Sequence, residues 1–143
     1  MTIRWTPDMA TGLAEVDEQH RMLFEQIERL VQHAGQPDGQ AVVGETMAFL
    51  DVYIVGHFAL EEALIRACPY PGCDRHFEQH QQFRENFAWL RQRVAAAGSA
   101  FNAVMPIRQL VYNWLVQHIG MTDRVMARFL LAQQRPAAPG KES

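Results

Sequence analysis

The feature that most restricts the fold of this chain is a helical period of apolar residues that recurs in four segments. In each segment the apolar side chains return every three or four residues, which places them on one face of an α-helix. No stretch alternates with a period of two for long enough to predict a β-strand. The sequence therefore predicts an all-α, up-down-up-down four-helix bundle. The four apolar stripes are Leu23, Phe24, Ile27, Leu30 and Val31; Val43, Met47, Leu50, Ile54 and Leu64; Phe83, Phe87, Leu90 and Val94; and Ile107, Val111, Trp114, Leu115, Val125 and Phe129.

The boundaries of these helices are predicted from capping and turn residues. Aspartate and asparagine side chains favour helix starts, and proline cannot continue a helix. The predicted order is an N-terminal arm over 1–16, a first helix capped by Asp17 that ends near Gly35, a second helix over 40–66, a third helix capped by Asp74 that ends near Gly98, and a fourth helix that starts between Asn102 and Pro106.

Length and composition limit the class of protein. The chain has 143 residues, of which 48% are hydrophobic and 20% charged, so we expect one domain over 1–131 and a flexible tail over 132–143. The net charge of −3 offers no basic surface for nucleic acid. The sequence has no signal peptide and no apolar stretch long enough for membrane insertion, which predicts a cytoplasmic protein. Whether Cys68 and Cys73 form a disulfide stays open.

Seven polar side chains occupy positions on the predicted core faces. Five of the six histidines of the chain are among them. Burying an unpaired ion costs several kcal/mol, whereas a whole domain is stable by only about 5–15 kcal/mol. Metal coordination would offset this cost, and a bundle without metal is the alternative. The seven are His20, His57, Glu61, His76, His80, His118 and Asp123.

The spacing of these residues supports a metal site. His57 and Glu61 stand at i, i+4, as do His76 and His80, so each pair shares one helix face. Seven ligands exceed the four of a structural zinc site and the six of one octahedral ion. Two ions that share two bridging carboxylates would use all seven. Mixed imidazole and carboxylate ligands favour iron among the redox metals.

His118 and Asp123 stand at i, i+5, a spacing that an ideal α-helix turns by about 140°. Both can reach one site only if the helix widens locally. Gly120 lies between them and would permit such a change. We therefore predict a π-type irregularity over Ile119–Asp123, as is frequent at functional sites.

These motifs resemble the hemerythrin family, and in particular the single-domain bacterial hemerythrins. The family pattern is a lone histidine on the first helix, then H-x-x-x-E, H-x-x-x-H and H-x-x-x-x-D. The resemblance covers residues 5 to about 130, with every ligand position filled. The matching residues are His20, His57-Phe-Ala-Leu-Glu61, His76-Phe-Glu-Gln-His80 and His118-Ile-Gly-Met-Thr-Asp123.

The resemblance implies a non-haem di-iron centre that binds dioxygen reversibly. By the same resemblance, His76, His80 and His118 would hold one six-coordinate iron, and His20 and His57 a five-coordinate iron with an open position. Glu61 and Asp123 would bridge the two ions together with an oxo or hydroxo group.

The residues favour carrying oxygen over reacting with it. Oxygen-activating di-iron bundles use Glu-x-x-His pairs, and this sequence contains none. We therefore expect storage, delivery or buffering of dioxygen rather than an enzyme. An oxygen sensor acting through a partner, and an enzyme acting on peroxide or nitric oxide, are the alternatives. An oxygen-accepting partner protein is left open. Gly56 is expected to admit a neighbouring helix beside His57, and an apolar oxygen pocket is predicted from Leu115, Ile119, Phe58 and Phe24.

Overall fold

The computed structural model of the protein describes residues 4–134, which are helical apart from the arm and three short connections and contain no strand. A π-helical segment joins the last two α-helices, so together these three elements form the fourth rod of an all-α four-helix bundle, as predicted. The elements are a short 3-10 helix over Pro7–Met9, α1 over Ala14–His33, α2 over Gly39–Arg66, α3 over Cys73–Ala96, α4 over Ala100–Trp114, the π segment over Leu115–Thr122, and α5 over Asp123–Gln134.

The predicted caps of the first and third helices are wrong. Helix α1 begins three residues before Asp17, whose carboxylate instead accepts hydrogen bonds from the backbone N–H and the hydroxyl of Thr11, both at 2.7 Å. Asp17 therefore fastens the arm to α1. Helix α3 begins at Cys73, so Asp74 lies in its first turn.

The fourth helix has a side-chain cap, but not at the expected place. Ser99 caps α4 by accepting a hydrogen bond from the backbone N–H of Asn102, at 3.2 Å. Helix α4 therefore starts before Asn102, and Pro106 lies inside it.

The core follows the predicted stripes closely on the three rods formed by α1, α2 and α3. Side chains from α1, α2, α3 and α4 form one apolar cluster, with α1 packed chiefly on α2 and α3 on α4. Val31 is an exception, because 43% of it is exposed. Burying this core removes apolar surface from water, which is the main favourable term in folding.

The π segment changes which residues of the last helix face the core. Val125, predicted to be internal, is 54% exposed, whereas Met126 and Leu130 are buried. A π turn inserts one extra residue, so every side chain after it moves by one position round the helix. The error at Val125 therefore follows from the irregularity that the spacing of His118 and Asp123 itself predicts.

Cys68, in the loop between α2 and α3, and Cys73, the first residue of α3, are both free, partly buried thiols. They pack against a second, smaller apolar cluster around Ile65, Tyr70 and Met126.

Helix α5 extends to Gln134, so the first three residues of the predicted tail are helical, and 135–143 lie outside the described residues. None of the described helices is long and apolar enough to span a membrane. A cytoplasmic location stays a prediction.

Candidate metal centre

The structure brings the seven predicted polar residues into one buried cluster inside the bundle. Each of them is at most 1% exposed, so none is solvated at the surface. Burial this complete is rare for charged or imidazole side chains unless they are paired or bind a metal. They come from every rod: His20 from α1, His57 and Glu61 from α2, His76 and His80 from α3, His118 from the π segment and Asp123 from α5.

The cluster divides into two sets of four ligand atoms, and each set lies within 4.8 Å. The three-histidine group contains Glu61 and the imidazoles of α3 and the π segment, and the two-histidine group contains Glu61, Asp123 and the imidazoles of α1 and α2. Because Glu61 belongs to both, the two sets are neighbours. The members are Glu61, His76, His80 and His118 in the first group, and His20, His57, Glu61 and Asp123 in the second.

The carboxylate of Glu61 points one oxygen at each group. Its Oε1 lies 2.9 Å from Nε2 of His76 and 3.0 Å from Nε2 of His80. Its Oε2 lies 2.9 Å from Nε2 of His57. This geometry fits a carboxylate that bridges two cations.

Asp123 is placed in the same way. Its Oδ1 lies 2.9 Å from Nε2 of His118 and 3.3 Å from Nε2 of His76, while its Oδ2 lies 3.0 Å from Nε2 of His20. Both carboxylates therefore divide their oxygens between the two groups.

The π segment brings His118 and Asp123 to the same site. The backbone N–H of Asp123 donates to the carbonyl of His118, five residues back, rather than to the residue four back. The predicted irregularity is confirmed and is longer than expected, since it begins at Leu115. Glycine at position 120 suits this geometry, because a Cβ there would lie 2.9 Å from the carbonyl oxygen of Leu115 and the segment would have to shift.

Several buried oxygens of the cluster have no hydrogen-bond donor. Among the described residues, nothing donates with hydrogen-bond geometry to Oε2 of Glu61 or to either oxygen of Asp123. A buried carboxylate oxygen without a donor costs several kcal/mol. Two nitrogens of the two-histidine group, Nε2 of His20 and Nε2 of His57, also face each other at 3.2 Å. Cations between these atoms would satisfy all of them, so the residues present fit a pair of metal ions.

Three of the five histidines are oriented by an outer hydrogen bond. In each, Nδ1–H donates to a side-chain oxygen, which directs Nε2 into the cluster, as is usual for metal-binding histidines. The pairs are His57 with Oε1 of Gln19, His80 with Oε2 of Glu62 at 2.8 Å, and His118 with Oε1 of Gln79 at 2.7 Å.

The two glutamines are functional residues that sequence reasoning missed. Gln19 precedes His20 and Gln79 precedes His80, but each binds a histidine of another rod. Their position next to a candidate ligand is the only signal in the sequence, and it does not identify the partner. Glu62 is 14% exposed and also accepts from Arg84 at 3.2 Å.

An aromatic ring stacks on the face of each of the same three histidines. Each ring is stacked nearly parallel to an imidazole, which restricts its rotation. The stacked pairs are Tyr53 with His57 at 4.7 Å, Phe58 with His80 at 4.0 Å and Trp114 with His118 at 3.8 Å between ring centroids.

The residues predicted for an oxygen pocket are all in or beside the core. Phe24, Phe58 and Ile119 are buried, and Leu115 is partly buried. Phe58 stacks on His80 and therefore lies against the three-histidine group. A role for these four in shielding bound oxygen stays a prediction.

In the metal-free protein, the pKa values of the carboxylates and imidazoles in the cluster depend on one another. Burial would raise the pKa of Glu61, but the imidazoles of His57, His118 and His76 outweigh it and hold that pKa well below its usual range. Burial lowers the pKa of His118, yet the nearby carboxylates of Asp123 and Glu61 raise it to about 9. Metal binding at His118 would therefore compete with a proton.

Comparison with known proteins gives a consistent result. The family model described as Hemerythrin HHE cation binding domain matches residues 11–130. The chain is similar to the Bacteriohemerythrin of Stenotrophomonas maltophilia, with 32% identity over 124 residues that cover 86% of this chain and 78% of the relative. It is similar to the Bacteriohemerythrin of Methylococcus capsulatus, with 26% identity over 129 residues that cover 90% of this chain and 96% of the relative. A Bacteriohemerythrin of Pseudomonas aeruginosa is 29% identical over 119 residues, which cover 83% of this chain and 75% of the relative.

Proposed function

The chain belongs to the hemerythrin family, and from this premise we propose that it binds dioxygen reversibly at a pair of iron ions. In this proposal the three-histidine group would hold one ion and the two-histidine group would hold the other, which would keep an open position. Glu61 and Asp123 would be shared by both ions, and an oxo or hydroxo group would complete the centre. When bound, a pair of ferrous ions would supply the two electrons that reversible dioxygen binding requires.

One observation carries the proposal. Glu61 and Asp123 each direct one oxygen to the three-histidine group and the other to the two-histidine group. Three imidazoles on one side and two on the other make the sites unequal. The ion with two imidazoles would keep one coordination position for an external ligand, and the ion with three would keep none.

The surrounding residues support binding rather than turnover. Phe58 and Ile119 are buried side chains with no polar atom, and neither offers a proton to the site. The three outer hydrogen bonds hold the imidazoles in place, and each of these imidazoles is at most 1% exposed. We therefore propose an oxygen-binding protein without enzymatic activity. An oxygen-accepting partner protein stays a prediction.

The proposal is tested on purified full-length protein loaded anaerobically with ferrous iron. We expect two irons per chain, a nearly colourless reduced form, visible absorption on exposure to oxygen, and loss of that absorption on deoxygenation. An irreversible change accompanied by consumption of peroxide or nitric oxide would indicate an enzyme. A reversible change that alters self-association would indicate a sensor.

A matched pair of histidine variants assigns the signal to the cluster. His118→Ala should lose iron and the oxygen-dependent absorption. His33→Ala is the control, because His33 lies outside the cluster and pairs with Asp38 near the surface. Equal iron content in both variants would contradict the ligand assignment.

A further inference from the structure

A surface pocket of about 200 Å³ lies between α1 and α2 and ends against His57. Its inner end reaches His57 of the two-histidine group, where the open coordination position is proposed. Its lining residues are Gln19, Met22, Phe49, Val52, Tyr53 and Gly56, with His57 at the inner end.

The inner end of this pocket is formed by side chains that contact the candidate ligand. Tyr53 stacks on the ring of His57, and Gln19 accepts the hydrogen bond from its Nδ1–H. The outer part is apolar and open, since Met22 is 45% exposed and Val52 is 72% exposed. The pocket thus connects solvent to the ring of a candidate metal ligand along apolar side chains.

Gly56 has no packing role that would explain it. It lies within the 28-residue helix α2, where glycine is less favourable than alanine. The expectation that it admits a neighbouring helix is wrong, because a Cβ at this position would meet no heavy atom within 4 Å. The absence of a side chain at Gly56 does have one consequence, which is to keep the pocket open beside His57.

A second pocket reaches the other half of the site and is the more polar of the two, since five carboxamides line it beside Phe83, Leu110 and Trp114. It has a volume of about 120 Å³, lies between α3 and α4 and borders His118. Polar amide-lined cavities hold water, whereas a small apolar gas is more soluble in apolar surroundings than in water. The carboxamides that line it belong to Gln79, Gln82, Asn86, Asn113 and Gln117.

We propose that dioxygen reaches the two-histidine group through the α1–α2 pocket and that Gly56 keeps this route open. The inference rests on the proposed function, since it concerns the path of the ligand to that same site. The pocket itself is a binding site for small apolar gases whether or not the metal is present.

The first experiment compares Gly56→Leu with Gly44→Leu in iron-loaded protein. Both glycines lie on α2, and a Cβ at either would meet nothing, but only Gly56 lines the pocket. The association and dissociation rates of dioxygen should both fall by about tenfold in Gly56→Leu, because one route serves both directions. The affinity should therefore stay the same, and Gly44→Leu should match the unmodified protein.

The second experiment measures xenon binding to the iron-free full-length chain by xenon NMR. The unmodified protein and Gly44→Leu should bind xenon, and Gly56→Leu should lose that binding. This measurement does not depend on oxygen binding, so a failure of the proposed function would leave it unchanged. If xenon bound equally to all three proteins, the pocket would not be the gas site.

Two kinetic results would overturn the route. One is an unchanged association rate in a folded, fully loaded Gly56→Leu protein. The other is a loss of affinity through faster dissociation, which would indicate a distorted metal site. If Gly56→Leu does not fold, Met22→Trp fills the pocket from α1, with Val31→Trp as the control at a similarly exposed position outside the lining. The same slowing of both rates is then expected for Met22→Trp alone.

Discussion

Replacing Gly120 by alanine tests whether the π segment holds the two halves of the site together. A Cβ at Gly120 would lie 2.9 Å from the carbonyl oxygen of Leu115, whereas ordinary contacts begin at 3.4 Å. The atom it meets is part of the backbone and cannot rotate away as a flexible side chain can. The segment must therefore shift or give up its wide hydrogen-bonding pattern.

The magnitude follows from two opposing effects. Overpacking against a fixed neighbour typically costs about 1–3 kcal/mol. Replacing a helical glycine by alanine returns roughly 0.5–1 kcal/mol. We therefore expect Gly120→Ala to destabilise the iron-free protein by about 1 kcal/mol, within a range of roughly 0–2.5 kcal/mol. Gly44→Ala, whose Cβ meets nothing, should instead stabilise it by roughly 0.5–1 kcal/mol.

The effect on the metal site is the more specific part of the prediction. If the segment returns to regular α-helix, Asp123 turns by about 100° relative to His118 and no longer faces the site. Iron content after reconstitution should then fall below two per chain in Gly120→Ala and stay at two in Gly44→Ala.

Urea unfolding of the iron-free variants and metal analysis of the reconstituted ones provide the two measurements. The reasoning would be refuted if both variants were stabilised equally and both retained full iron. In that case the wide turn would depend on other residues, and the close approach at Gly120 would have no energetic role.

Three further predictions concern charge, pH and shielding. Glu62→Gln removes the carboxylate charge that lies beside Nδ1 of His80 and should weaken iron binding about 10–100-fold in chelator competition. Glu78→Gln, at an exposed position, should leave iron affinity unchanged. Equal iron affinities in the two variants would contradict this role of Glu62. The pKa of His118 is raised from 6.5 to about 9, so its stabilisation is complete below pH 6.5 and is lost as the pH rises to 9. The melting temperature of iron-free protein should fall over that range, and a flat profile would contradict the ion pairing. Leu115→Gln should admit water and speed autoxidation, measured as loss of the oxygenated absorption; an unchanged lifetime would exclude Leu115 from the pocket.

The bundle and the composition of the polar cluster could be predicted because both follow from periodicity. Burial of His57 and Glu61 required only that their positions continue an apolar stripe. The π segment was predictable for a related reason, since two polar residues at i, i+5 can share a buried site only if the helix widens.

The errors arose where a local signal competed with tertiary structure. Asp17 has the residue type of a cap, but its carboxylate binds the backbone of the arm instead. Val125 fits a regular helical stripe and is exposed because the extra residue of the π segment rotates everything after it. The role of Asp17 depends on how the arm folds back on α1, and the exposure of Val125 could be foreseen only by continuing the predicted π irregularity through the rest of the helix.

The outer shell of the site lay beyond sequence reasoning for a different reason. Gln19 and Gln79 are each oriented toward a histidine on another rod, so the pairing depends on how the helices are rotated against one another. The role of Gly56 likewise appears only when the space around it is known. Periodicity identifies which face is buried but contains no information about partners across it.

The distribution of the cluster along the chain has a consequence for biosynthesis. His20 lies in α1 and is synthesised well before Asp123, which lies in the last described helix. A nascent or truncated chain that lacks α5 has only one of the two shared carboxylates and cannot form the complete chelate. Full metal occupancy would therefore report that α5 has been made and has docked on the other rods.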